Sequence, residues 1–251
     1  MNNQLFNYIL ILADNTLILG QRNSEWCGHG PVLEQDIAIT NISLDLIGQA
    51  RNFYQYAALL NGGGITEDTL AYLRTEREFK NILLAEQPNG DWAVTVLRQF
   101  FFSNYQYLLY QQLQKSSDTQ LAAIAEKALK EVTYHLRWSS EWVIRLGDST
   151  EESKDRMLAA IDELWRFTGE LFMPADYETA AANEGYGVAV TSLQQNWMQK
   201  VTMVFEEATL PLPKEGVYMQ RGGKAGIHTE HLGYILAEMQ YLQRTYPGCE
   251  W

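Results

Sequence analysis

The sequence predicts an all-α fold organised round a four-helix bundle, and three observations carry that expectation. No proline falls between Pro31 and Pro88 or between Pro88 and Pro174, so two long stretches lack a helix breaker. No strand-like alternation of useful length appears anywhere. The helical segments are joined by connections of only a few residues, as in antiparallel bundles. The 251 residues, 46% of them hydrophobic, suffice for one large core or a core with a smaller appendage.

The first predicted helix runs from about Asn3 to Gly20, followed by the turn Trp26-Cys27-Gly28-His29-Gly30-Pro31. A long helix over about Val32–Leu60 stops at Gly62-Gly63-Gly64, a strong C-terminal signal. A third spans about Glu67–Glu86 and ends at Pro88-Asn89-Gly90. Asp91 caps a fourth that reaches about Lys115, and a fifth covers Thr119–Leu146 before Gly147. The segments over 32–60, 67–86, 91–115 and 119–146 form the expected bundle core, about residues 32–146, with the N-terminal helix as an addition. Shorter helices follow over 153–172, 176–183, 191–208 and 229–244, making a C-terminal extension of about 147–251. Without a low-complexity linker or a short repeat, the chain reads as a single domain over 1–251.

A formal net charge of -12 argues against nucleic acid and against anionic membrane surfaces as partners. Two cysteines, Cys27 and Cys249, lie at opposite ends and form no disulfide or metal pattern, which favours a reducing compartment. The apolar run Tyr8–Leu12 is interrupted by Asp14 and Asn15 and has no basic residue before it, unlike a signal peptide. No segment approaches about 20 uninterrupted apolar residues. The expected location is therefore cytoplasmic.

Large four-helix bundles often hold a di-metal carboxylate site, as ferritin-like proteins do. That site needs one Glu from each of two helices and Glu-x-x-His from the other two. Residues three apart share a helix face, so carboxylate and imidazole can reach one metal pair. The histidines are His29, His135, His228 and His231, and Glu stands three residues before none of them. Glu76-x-x-Phe79 and Glu131-x-x-Tyr134 keep the carboxylate and carry an aromatic at the imidazole's position. The fourth helix has no Asp or Glu from Trp92 to Ser117 and offers only Ser103 and Asn104 near its centre. On the second helix Asn41, Asp45 and Gln49 form a polar line in apolar surroundings. Asp45, Glu76, Phe79, Asn104, Glu131 and Tyr134 thus mark a degenerate metal site, with no metal or other cofactor and no catalytic residue expected in this chain. Lys80 and Lys127, each four residues from a retained glutamate, are candidates to neutralise it; alternatively these are solvated helix faces.

Other constellations have structural readings beside functional ones. Glu25/His29 and Glu131/His135 suit hydrogen bonding better than metal binding, and His228/His231 lack a nearby cysteine for zinc. Gly222-Gly223-Lys224-Ala225-Gly226 could hold an anion at a helix start, but lacks the phosphate-loop spacing and reads more simply as a turn. Glu78, Phe79, Lys80 and Asn81 mix acid, aromatic, cation and amide, groups that could meet a phosphate or a planar ring; the alternative is an ordinary helix with Lys80 paired to Glu76.

The segments EWCGH (25–29), NISLDLIGQARN (41–52), EQPNG (86–90), LWRFT (164–168) and GGKAGIHTEHLGYILAEMQYLQR (222–244) resemble the C subunits of bacterial phenylacetyl-CoA epoxidases, along essentially the whole chain. The resemblance implies a multicomponent ring-epoxidising monooxygenase of phenylacetate degradation. In it a related catalytic partner, the A subunit, holds the di-iron centre, and an iron–sulfur flavoprotein reductase (FAD) delivers electrons from NADPH. The resemblance implies for this chain a non-catalytic structural role beside the catalytic and other subunits, with the CoA ester at an interface and Glu78, Phe79, Lys80 and Asn81 as its candidate contacts. The rival readings are an active di-metal oxidoreductase with an unusual ligand set and a free-standing CoA-ester-binding scaffold.

Overall fold

The computed structural model describes residues 3–214 and 216–249, which contain helices and no strand. They form two compact units. The first comprises the chain up to Pro88, Ala175–Tyr177 and the chain from Gly222; the second comprises Asn89–Pro174 and Glu178–Arg221.

The first unit is built on a hairpin of α1 (Asn3–Ser24) and α2 (Leu33–Asn61). Helix α1 is buried on every side from Tyr8 to Gly20, so its sequence there is nearly continuous in apolar residues. Gly20 allows the close approach of α2, since a Cβ there would lie 3.1 Å from the Ile47 side chain. Asp36, in the first turn of α2, accepts hydrogen bonds from Gly28 N–H (3.1 Å) and Gly30 N–H (3.4 Å) and so fixes the connecting turn.

The helix expected over 67–86 is not continuous. α3 (Glu67–Tyr72), begun by a Thr66/Thr69 capping box, gives way to a 3₁₀ turn at Glu76–Glu78 and then extended backbone at Phe79 and Ile82, before the single turn of α4 (Leu83–Glu86). The cause lies on α1. Asp14 Oδ2 accepts from Lys80 N–H and Asn15 Oδ1 accepts from Ile82 N–H, each at 2.8 Å. Buried side-chain acceptors have taken amides that a helix would bond internally. Hence the four long helices are α1, α2, α5 (Trp92–Leu113) and α6 (Thr119–Gly147).

In the second unit α5 pairs with α6, and Asp91 and Asp118 cap them as acceptors for the second and third helical N–H groups. Helix α5 is buried almost throughout. The expected 153–172 helix is α7 (Glu151–Leu164) followed by two 3₁₀ turns. α8 (Asp176–Asn183), which belongs to this unit from Glu178 onward, and α9 (Gln194–Glu207) follow. Trp197 of α9 donates its indole N–H to the Phe101 carbonyl (3.0 Å), and Asn104 donates to the Trp197 carbonyl (2.9 Å).

The last helix is split into α10 (Glu230–Met239) and α11 (Tyr241–Thr245), and both serve the end of α3. Gln240 donates to the carbonyls of Ala71 and Arg74, and Arg244 donates to those of Tyr72, Leu73 and Arg74. These bonds satisfy carbonyls that the short helix leaves open. Among the described residues no helix is long and apolar enough to cross a membrane.

If side-chain capture of backbone amides shapes the 79–82 segment, Asn15→Leu should lower stability by about 1–3 kcal/mol, because the buried Ile82 N–H loses its acceptor. Urea denaturation checks this; an unchanged midpoint would show that Asn15 is not the determinant.

Candidate functional site

The residues marked by the metal template divide between the two units. In the first unit Asp45 is half-buried on α2, Glu76 is exposed on the 3₁₀ turn, and Phe79 is fully buried. In the second unit Asn104 is buried and committed to Trp197, Glu131 is half-buried, and Tyr134 is exposed. The buried face of α6 runs through Ala128, Val132, His135 and Ser139, which places His135, not Tyr134, on the inner side. Glu131 acts on that interior, since the Tyr110 hydroxyl is held well above its ordinary range by burial first and by the Glu131 charge in addition.

The four candidate CoA-contact residues separate in a similar way. Glu78 is exposed, with its carboxylate accepting from Thr75 N–H (2.8 Å) and Thr75 Oγ1 (2.7 Å), bonds that lower its pKa. Phe79 and Asn81 are fully buried. Lys80 is half-buried with its ammonium 5.3 Å from the Tyr177 ring centre rather than in a helical pair with Glu76, and burial lowers its pKa.

The structure reveals instead two buried carboxylates in the first unit. Asp14 of α1 is completely enclosed. Tyr54 Oη donates to its Oδ1 at 2.5 Å, Lys80 N–H donates to its Oδ2, and the Arg74 guanidinium bonds both oxygens. Arg74 also donates to the Tyr54 hydroxyl (3.1 Å) and the Glu78 carbonyl (3.0 Å), and lies over the Phe79 ring at 4.2 Å. Burial first, and then the Asp14 charge, raise the Tyr54 pKa well above its ordinary value, so the phenol stays protonated as the donor.

Glu86 is the second. Its Oε1 accepts from Thr229 N–H (2.7 Å) and Thr229 Oγ1 (2.8 Å), and its Oε2 from His228 Nδ1 (2.8 Å) and Asn81 Nδ2 (2.8 Å). His228 Nε2 lies 3.0 Å from the Phe79 carbonyl oxygen. Both ring nitrogens thus face acceptors, which only an imidazolium satisfies with two donors. The glycine-rich 222–226 turn makes this possible. A Cβ at Gly223 would fall 2.1 Å from the Asn81 carbonyl oxygen, and one at Gly226 (φ 76°) 2.3 Å from that of Arg77. The turn is a clasp laid against backbone.

These residues do not fit a di-metal centre. Every carboxylate oxygen of Asp14 and Glu86 already accepts from protein donors. Among the described residues no three His, Cys, Asp or Glu side chains gather as a metal-binding group. A guanidinium and an imidazolium supply the positive charge that buried carboxylates require.

The clasp carries a sign for its pH dependence. Burial lowers the His228 pKa, but hydrogen bonding and charge from Glu86, the Phe79 carbonyl and Asp14 outweigh it, leaving the net value raised. A raised folded pKa gives stability that is full below the unfolded value of about 6.5 and is lost as pH rises through the folded value. Urea midpoints should therefore fall as pH rises above neutrality, and His228→Gln should flatten that slope. An unaltered slope in the variant would assign the dependence to another group.

The comparisons with known proteins agree with the sequence motifs. Residues 1–251 match the family described as "Phenylacetic acid catabolic protein". The chain is also 53% identical over 249 residues to the C subunit of the 1,2-phenylacetyl-CoA epoxidase of Escherichia coli (strain K12), covering 99% of this chain and 100% of the relative. With its ferritin-like, all-helical fold and its match from first residue to last, the chain belongs to the phenylacetic acid catabolic protein family.

Proposed function

We propose that this chain is a non-catalytic structural subunit of a phenylacetyl-CoA epoxidase, holding a separate, di-iron catalytic subunit in its working form. The observation that carries the reading is the buried Asp14–Arg74–Tyr54 cluster, in which protein donors occupy both oxygens of an enclosed carboxylate and a guanidinium supplies its counter-charge. The relative's name, which makes it one subunit of the 1,2-phenylacetyl-CoA epoxidase, supports membership of a multi-subunit assembly. In that assembly the electrons come from the NADPH-dependent iron–sulfur flavoprotein, and the CoA ester is bound and oxidised at the partner's metal site. This chain contributes shape and stability.

Co-expression with the catalytic subunit should give one co-eluting complex whose iron stays with the partner after the subunits are separated and washed with chelator. Two irons per copy of this chain would overturn the reading. Independent elution at micromolar concentration would too.

The Asp14 cluster gives a second check. Arg74→Met strands a buried carboxylate and should lower stability by about 3–5 kcal/mol. Adding Asp14→Asn should recover part of that loss. The assembled double variant should turn over the CoA ester within about twofold of the natural complex, because a change below about 0.4 kcal/mol in the barrier is what a purely structural pair allows. Intact assembly with abolished turnover would place the cluster in the chemistry.

A further inference from the structure

In the second unit α9 lies beside α5 and α6, and a groove of about 550 Å³ opens between the three helices. Its two walls, α6 and α9, run in the same direction. Gly147 at the end of α6 meets Ala208 just past α9, since a Cβ on Gly147 would fall 2.5 Å from the Ala208 carbonyl oxygen. Thr209 Oγ1 also donates to the Gly147 carbonyl at 3.4 Å. Thr133 and Asn196, fourteen and twelve residues before Gly147 and Ala208, line the groove at its other end. One end is therefore shut and the other open. The volume falls within the range of about 300–1,000 Å³ usual for small-ligand sites.

The body of the groove is apolar: Leu136 and Ile144 of α6 are half-buried, Val204 of α9 is buried, and Met203 is 57% exposed. Of the charged side chains that line it, Arg137, Glu141 and Glu207 are exposed at the rim, and Lys200 is half-buried. Arg137 is engaged on its own helix, 4.0 Å from Glu141 and 5.8 Å from the Tyr134 ring centre. Among the described residues neither the Lys200 ammonium nor the Asn196 amide has a hydrogen-bond or ion-pair partner. Asn196 precedes Lys200 by four residues, so their donors share one face of α9. An ammonium and an amide NH₂ side by side suit the two oxygens of one carboxylate.

We propose that this groove binds a small amphiphilic carboxylate, its head held by Lys200 and Asn196 and its apolar body lying along Ile144, Met203 and Val204 toward the shut end. Charge selects the head. A cation drawn partly out of water among apolar walls, with no acid of its own, favours an anion. A cationic head would be repelled there, and an uncharged one would leave the ammonium without a counter-charge. Glu207 lies seven residues past Lys200, about 10 Å further along the helix, and stands at the rim. Length limits the body. Eight residues separate Lys200 from Ala208, about 12 Å of helix, which suits a medium alkyl chain or a substituted ring. The shut end admits a tapering body and not a helix laid through the groove.

Calorimetric titration of the purified chain with octanoate tests the proposal, with octanol as the uncharged probe of the same length. Octanoate is expected to bind at one site with a Kd below about 1 mM, and octanol at least about fivefold more weakly. Lys200→Glu should weaken octanoate at least about tenfold and leave octanol within about twofold. Its circular dichroism should be unchanged, because Lys200 bonds no other side chain here. Met203→Asp, which sets a charge among the apolar walls, should weaken both probes. Octanoate binding weaker than about 1 mM overturns the proposal, and so does equal affinity for the acid and the alcohol. Undiminished octanoate binding by Lys200→Glu overturns it too. An assembled complex in which another subunit fills the groove and excludes octanoate also overturns it, by giving the groove a protein occupant. The companion role stands or falls separately, on co-elution and iron content.

Discussion

The buried carboxylate of Asp14 is the constraint round which the first unit is arranged. A carboxylate with no solvent exposure must be supplied with opposite charge and with donors for its lone pairs. Tyr54 on α2, Arg74 beyond α3 and the Lys80 amide supply them, and in doing so they tie three separate stretches of chain to α1. The break in the 67–86 segment follows from the same demand. A continuous helix there would keep the Lys80 amide in its own ladder and leave Asp14 short of a donor. The irregular backbone is thus fixed by the carboxylate it serves.

Glu86 extends the arrangement to the other end of the sequence. Its donors His228 and Thr229 come from 142 and 143 residues away, and Arg22 of α1 adds hydrogen bonds to the Glu86 carbonyl. The glycines at 223 and 226 bring that distant segment within reach, and Gln240 and Arg244 then satisfy the carbonyls at the end of α3. A segment that carries much of the family resemblance therefore has a direct structural explanation.

The sequence made the long helices legible because their signals are local: Asp91 and Asp118 stand at cap positions, and Gly62 follows the last turn of α2. It did not reveal the broken third helix, because Asp14 and Asn15, which break it, lie 66 and 67 residues from the amides they capture. The candidate site was legible only in outline. Asp14 inside an apolar run and Glu86 after Leu83-Leu84-Ala85 are visible oddities, but their partners Arg74 and His228 are set by tertiary proximity. Tyr134 illustrates a different difficulty. Three-residue spacing put it beside Glu131, whereas the buried face of α6 passes through His135, a difference of one helical position that only the packing of α5 against α6 decides.

The identity of the two counter-charges matters as much as their presence. A guanidinium remains protonated throughout the physiological range, so the Asp14 cluster holds its form regardless of pH or metal supply. An imidazolium does not, and the clasp on Glu86 is correspondingly the pH-sensitive of the two. A metal-bearing bundle relies on bound ions to hold its carboxylates together, and loses that constraint whenever the ions leave. A bundle that carries its cations on its own side chains has a shape independent of metal loading and redox state. That property suits a protein whose proposed task is to support a partner through cycles of oxidation and reduction, because the support then does not change when the partner's metals do.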